Sequence, residues 1–289
     1  VPSMADVNAL PWNGYNVVST FSGAGGSCLG YRMACFRVLW ANEFIPAAQD
    51  TYRLNHPTSI LDTRDIRTVQ PDDILQQTGM RVGEIDILDG SPPCAAFSTA
   101  GKREKGWGEV KQYSDSKQRV DDLFYEYIRL IKGLQPKTFV AENVSGLVKG
   151  TAKGYFKEIL RSMRDCGYTV EARLLDASWL GVPQKRQRLI FVGVRNDLVE
   201  AHHVAPSFPE PMTYQYTVRD AIPWVIKQGA NGSYGSAHWQ AATNPSPTIG
   251  ASPQTGNGQS PPSIIEAETD ISKYAIGAEW DRMKLHGQS

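Results

Sequence analysis

The sequence predicts an α/β fold, a doubly wound and mostly parallel sheet followed by a partial, loop-rich region. Three observations predict it. From about residue 16 to residue 195, short apolar runs alternate with helix-like segments, the order that builds βαβ units. Several runs, such as Val38-Leu39-Trp40-Ala41, are near-continuously apolar, as strands covered on both faces must be. Glycines, prolines and acids cluster where those runs end, and open α/β sheets bind ligands at the carboxyl ends of their strands.

Strands are expected at residues 16–21, 38–42, 59–61, 85–89, 138–142, 168–175 and 189–194. Helices are expected at residues 27–35, 46–55, 73–78, 121–133 and 155–166. In the fourth of these, Leu123, Tyr127, Leu130 and Ile131 recur at helical spacing and Pro136 stops the pattern. Composition changes near Ala205. Pro206-Ser207-Phe208-Pro209-Glu210-Pro211 reads as a linker, and the chain beyond Trp224 is rich in Gly, Ser, Asn and Pro without a regular period. The expected division is therefore residues 1–205 and residues 206–289.

The chain has 289 residues and a formal net charge of zero, so no global field points to nucleic acid or membrane. Any polyanion contact must come from local basic clusters. Its four cysteines form no CxxC or zinc spacing, which predicts no metal and no disulfide framework and favours a reducing intracellular compartment. No apolar run is long enough for a bilayer.

Five segments carry chemistry. Phe21-Ser22-Gly23-Ala24-Gly25-Gly26 follows a strand and opens a helix. Its glycines allow close backbone approach, and the helix N-terminus favours negative charge, such as the carboxylate of an amino-acid moiety. Glu43, at the end of the second strand, suits ribose hydroxyls, with Asp65 a similar acid near the third strand's end. An isolated Glu is more often a surface acid and an Asp a turn or cap residue. Asp89-Gly90-Ser91-Pro92-Pro93-Cys94-Ala95-Ala96-Phe97-Ser98 holds a soft nucleophile beyond two stiffening prolines, although most cysteines are small buried hydrophobes. The basic stretch 99–118, with Lys102 and Arg103, reads either as a flexible loop closing over phosphates or as a plain surface loop. Glu142-Asn143-Val144 places a carboxylate at another strand end, where a raised pKa suits proton donation. Gln184-Lys185-Arg186-Gln187-Arg188 sets two guanidinium groups two residues apart, on one face of an extended segment.

These segments, in this order, resemble the C5-cytosine DNA methyltransferase family, of bacterial or phage type. The resemblance covers about residues 16–195. Pro245-Ser246-Pro247-Thr248-Ile249 and the stretch 274–281 are similar to pieces of target recognition domains. The resemblance implies a Rossmann-like S-adenosylmethionine-dependent methyltransferase acting on double-stranded DNA, with a partial recognition domain from residue 206 and a restriction-modification setting. It implies a cytoplasmic, nucleoid-associated enzyme in which Cys94, Glu142, Arg186 and Arg188 are catalytic. Phe21, Gly23, Gly25, Gly26, Glu43, Asp65, Ile66, Pro93 and Leu123 would line the cofactor, with Asp65 at the adenine. Ser98, Lys102, Arg103, Asn143 and Gln184 would face DNA. The family's last two motifs, an Arg-Glu helix and a Gly-Asn-Ser segment, are absent from the sequence. Either a truncated chain or a second subunit supplying those motifs is expected. The tRNA-directed branch of the family and a non-catalytic regulatory subunit are the alternatives. The first lacks its Cys-Phe-Thr signature here, and the second usually loses Cys94 or Glu142, both of which are present.

Overall fold

A computed structural model describes residues 4–93, 111–113, 116–118, 123–148, 152–229, 239–241, 243–246 and 264–267. It divides into two compact units. The first is Val1–Leu174 with Leu189–Phe208; the second is Leu175–Arg188 with Pro209–Ser289. The division is discontinuous, whereas a single cut near Ala205 would leave residues 175–188 with the first part.

In the first unit, a short helix α1 (Met4–Asn8) precedes β1 (Asn16–Thr20), α2 (Gly26–Met33), β2 (Arg37–Asn42), α3 (Pro46–Asn55), β3 (Ile60–Asp62), α4 (Pro71–Thr78) and β4 (Ile87–Gly90). Then come β5 (Lys111–Tyr113), β6 (Ser116–Gln118), α5 (Leu123–Leu134), β7 (Thr138–Val144), α6 (Ala152–Asp165), β8 (Tyr168–Asp176), β9 (Gln187–Arg195) and α7 (Asn196–His202). The main sheet has seven strands in the order β3-β2-β1-β4-β7-β9-β8. β1 pairs in parallel with β2 on one side and β4 on the other; β3 extends the first side and β7 the second, also in parallel. The order reverses between β1 and β4, the switch point at which doubly wound sheets open a crevice.

Register fixes which residues meet there. Thr20 lies opposite Gly90, Gly90 opposite Ala141, and Asn42 opposite Asp62. The residues that follow each strand therefore emerge along one edge. The sheet is seated by α5, whose Leu123, Phe124, Tyr127, Leu130, Ile131 and Leu134 are all buried. The Tyr127 hydroxyl sits 2.9 Å from the Leu88 carbonyl and 3.0 Å from that of Val140, so it spans β4 and β7. A side chain at Gly90 would drive into the Tyr127 ring and the Thr20 hydroxyl, so only glycine ends β4 here. At the opposite edge, Asn16 and Asp86 exchange reciprocal hydrogen bonds of 2.8 and 3.1 Å, and Lys137 reaches Asp86 at 2.6 Å.

One sequence expectation needs correction. The stretch 99–118 is not all loop, because β5 and β6 pair antiparallel, Lys111 opposite Gln118. The loop-rich region beyond Trp224 also carries strands. β10 (Val225–Gly229), β11 (Trp239–Ala241) and β12 (Ile264–Ala267) form an antiparallel sheet in the order β11-β10-β12. These strands are three to five residues long and mix polar with apolar residues, too short for period-two alternation to register. A four-residue helix, α8 (Val218–Ala221), precedes them.

Candidate active site

The carboxyl edge of the first unit gathers the sequence motifs onto neighbouring strands. Beyond β1, the chain turns through Phe21 and Gly23, both with left-handed backbones (φ 53° and 57°), to Gly25 (φ 91°), which caps α2. A Cβ at Gly25 would collide with the His56 ring, so this glycine is required by close approach as well as by φ. At Gly23, a Cβ would meet nothing within 4 Å, so the turn presents open space on that side.

Glu43 stands one strand over, after β2, with 7% of its surface exposed. One carboxylate oxygen accepts the Gly23 N–H at 2.8 Å and the other the Ile45 N–H at 2.6 Å. Glu43 thus ties the glycine turn to the start of α3, while each oxygen keeps a lone pair for another donor. Asp65 accepts the Arg67 backbone N–H at 3.0 Å and pairs with its guanidinium at 3.0 Å, a turn aspartate beyond β3. Ile66 and Leu123 are core residues, 3% and 1% exposed.

Beyond β4, the Ser91 hydroxyl donates to the Phe21 carbonyl at 3.0 Å, joining the first and third motifs directly. Pro92 is buried and Pro93 half-buried. The Asn143 side chain, 2% exposed, donates to the Pro92 carbonyl at 3.1 Å and accepts the Val144 N–H at 2.9 Å. Both ends of that amide act within the protein, holding the proline segment against β7. Glu142 precedes it, half-buried, one residue past the Gly90–Ala141 pair. Cys94, Ser98, Lys102 and Arg103 lie outside the described residues.

The described cysteines sit elsewhere. Burial pushes the thiols of Cys28 and Cys166 up, and each is engaged. Cys28 accepts from the Tyr52 hydroxyl at 3.3 Å, and Cys166 donates to the Ser162 carbonyl at 3.2 Å. Thiols held protonated are poor nucleophiles.

In the second unit, Gln184 bridges Ser246, the Lys185 N–H donates to the Ser246 carbonyl at 2.7 Å, and the Ser246 N–H donates to Pro183 at 2.8 Å. The Arg186 carbonyl accepts from Ala177 at 3.0 Å. Along this extended stretch, Lys185 and Gln187 are exposed while Arg186 and Arg188 are half-buried, an alternation that gives the two arginines one face.

Two groups of this edge were not singled out from sequence. Asp89 is buried and receives several hydroxyls. His56, also buried, underlies the glycine turn: its Nε2 lies 3.0 Å from the Gly25 carbonyl and its Nδ1 3.1 Å from Arg32 Nη1. Arginine only donates and a carbonyl only accepts, so His56 is the neutral tautomer with its proton on Nε2. Burial lowers its pKa, and Arg32 adds to the shift while the Gly25 carbonyl opposes it. The Tyr52 ring lies against it, with centroids 4.6 Å apart and the planes tilted by 37°. Above pH about 6.5, the histidine is neutral in both folded and unfolded chains and contributes no pH dependence. Below it, the unfolded chain takes a proton that the folded site refuses, so stability falls as pH drops towards the folded pKa. Thermal melts of wild type and His56→Gln should show a shallower acid slope in the variant; equal slopes would contradict this assignment.

A family model, C-5 cytosine-specific DNA methylase, matches residues 15–270. The chain is 33% identical over 231 residues to the type II methyltransferase M.NgoPII of Neisseria gonorrhoeae, covering 78% of this chain and 61% of that protein. It is 37% identical over 206 residues to the type II methyltransferase M1.HphI of Haemophilus parahaemolyticus, covering 71% and 51%. The chain thus spans between half and two thirds of the length of these relatives. Among solved structures, a putative DNA modification methyltransferase encoded within a prophage (E. coli) superposes with a TM-score of 0.58 at 28% identity, over 77% of this chain and 58% of the other.

Proposed function

Because this chain belongs to the C-5 cytosine-specific DNA methylase family, we propose that it carries the catalytic machinery of a DNA (cytosine-5) methyltransferase, with Cys94 as nucleophile. One observation carries the reading. The glycine turn, Glu43, the Pro92-Pro93 segment and Glu142 share the edge at the switch point, and Asn143 clasps the segment that leads into Cys94.

The family's cofactor is S-adenosylmethionine, and the residues present fit it. Gly23 leaves space beside the turn, and Glu43 offers carboxylate lone pairs one strand away, where a ribose would lie. Phe21, Gly25, Gly26 and Pro93 would complete the lining, Asp65 would sit towards the base, and Ile66 and Leu123 would form the apolar floor beneath. When bound, the cofactor supplies an electrophilic methyl group for C5.

A cytosine inside a duplex is unreachable, so the base must be flipped out. The Cys94 thiolate then adds to C6, forming a carbon–sulfur bond and pushing electron density through the ring. Glu142 donates a hydrogen bond or proton to N3, which takes up that charge. C5 becomes nucleophilic and accepts the methyl group; it then loses its proton, and the thiolate leaves C6, restoring aromaticity. Arg188 would contact the base carbonyl and Arg186 a phosphate. Asn143 holds the nucleophile segment, while Ser98, Lys102, Arg103 and Gln184 would contact double-stranded DNA.

Residues 206–289 would supply part of target recognition and residues 1–205 the catalytic domain. A type II modification role in a bacterial or phage-infected cytoplasm, near the nucleoid, goes with this reading. No helix among the described residues is long and apolar enough to cross a membrane, and no described cluster could hold a metal ion.

The test is trapping. With DNA containing 5-fluorocytosine, the fluorine cannot leave as a proton does, so the covalent adduct should accumulate. Peptide mapping should place it on the fragment containing Cys94. An adduct on another cysteine would overturn the assignment.

A further inference from the structure

Asp89 is a buried carboxylate of this edge that the chemistry above does not use. It lies in β4, five positions before Cys94, with 8% of its surface exposed. Its Oδ2 accepts from the Ser19 hydroxyl at 3.0 Å and the Ser27 hydroxyl at 2.8 Å, and its Oδ1 from the Tyr31 hydroxyl at 3.3 Å. Its own carbonyl accepts from the Thr20 hydroxyl at 3.1 Å. The Ser22 hydroxyl, inside the glycine turn, donates to Ser19 at 3.0 Å. A relay therefore runs from Ser22 through Ser19 to Asp89, and a second tie runs from Ser27 in the first turn of α2. Both flanks of the glycine turn are fastened to the strand that leads into the nucleophile.

We propose that Asp89 is a positioning residue that sets the cofactor turn and residues 91–93, which lead into Cys94, as one unit, so that disturbing it impairs both cofactor binding and the nucleophile's attack. The proposal rests on the methyltransferase reading and deepens it.

An ionised carboxylate only accepts hydrogen bonds, so it alone fixes the direction of the hydroxyl relay. Each serine has one proton; if Ser19 gives its proton to Asp89, its lone pairs face Ser22. An asparagine at this position presents an NH₂ group that must donate into the same hydroxyls. The relay then reverses, and Ser22 or Ser27 has to turn within the site. Ser91, whose hydroxyl holds the Phe21 carbonyl, adds a second link between the same two segments.

The stability consequence separates this role from plain scaffolding. Burial raises the Asp89 carboxyl above its ordinary range, and the Glu142 charge adds to the shift while the three hydroxyls oppose it. An acid whose folded pKa is raised weakens the fold at every pH above that value, and the penalty is relieved as pH falls through it. A carboxylate held only for stability would not be kept at such a position. Asp89→Asn should therefore melt at the wild-type temperature or above.

The experiment compares wild type, Asp89→Asn and Ser27→Ala in the full protein, with three readouts. These are melting temperature, affinity for S-adenosylmethionine, and tritium release from C5-labelled cytosine in DNA without cofactor. The last reports attack at C6 and the exchange at C5 that follows it, without methyl transfer. Asp89→Asn should keep its melting temperature, weaken cofactor binding about tenfold and slow tritium release about tenfold, the loss expected when a charge-assisted hydrogen bond is removed. Ser27→Ala, which removes one of the two ties to Asp89, should weaken cofactor binding and slow tritium release, each by less than Asp89→Asn does. Asp89→Asn with wild-type tritium release would overturn the coupling. A fall in melting temperature with activity lost only in step with unfolding would reduce Asp89 to scaffolding and also overturn it. Wild type that releases no tritium would instead overturn the methyltransferase reading itself.

Discussion

Cys94→Ser should bind S-adenosylmethionine as tightly as wild type and transfer no measurable methyl group. The loss should be at least about a thousandfold in rate, because a serine hydroxyl at neutral pH is a far weaker nucleophile than a thiolate. Cofactor affinity should survive because the glycine turn and Glu43 hold each other through the Gly23 N–H, independently of the thiol. Cys28→Ser and Cys166→Ser are the controls. Both thiols are pushed towards the protonated form by burial, so neither substitution should remove the covalent complex with 5-fluorocytosine DNA. Retained transfer in Cys94→Ser would move the nucleophile elsewhere.

Glu142→Gln should lower kcat by about a hundredfold to ten-thousandfold, the range for loss of a positioned acid. Glutamine keeps the size and can still donate a hydrogen bond, but it has no proton to give N3. Charge then builds on the ring when C6 is attacked. The register of β4 and β7 sets Glu142 one residue beyond Ala141, opposite Gly90, so its backbone position does not depend on its own side chain. The cofactor dissociation constant should change little, and tritium release without cofactor should fall with kcat. Unchanged kcat would assign N3 to another group.

Much of the first unit was legible because its signals are local. Pro46 opens α3 and the helix ends at Asn55, the bounds expected from the sequence. Apolar runs marked β1, β2, β4, β7 and β9; β1 is buried along its whole length, and a strand covered on both faces cannot hide that pattern. The start of helix α8 also carries a local signal. Thr217 and Asp220 form a reciprocal capping box, a pair legible as a Thr and an Asp three residues apart. What was not legible depends on contacts far apart in the chain. Asp89 meets Ser27 across 62 residues and Ser19 across 70, and His56 meets Gly25 across 31. Nothing local separates Asp89 from an ordinary strand-end acid. Only the sheet order, which places β4 beside β1, makes it a hub. The loop-holding use of Asn143 was foreseeable from residue type, but its target, the Pro92 carbonyl, required the pairing of β4 with β7.

The central claim is that this edge of the sheet methylates carbon 5 of cytosine rather than an exocyclic nitrogen. The direct measurement is incubation of the protein with unmethylated DNA and methyl-labelled S-adenosylmethionine, followed by digestion to nucleosides and separation of the labelled products. The account predicts that the label appears as 5-methylcytosine and disappears in Cys94→Ser. Label in N4-methylcytosine or N6-methyladenine, or label unaffected by that substitution, would contradict it.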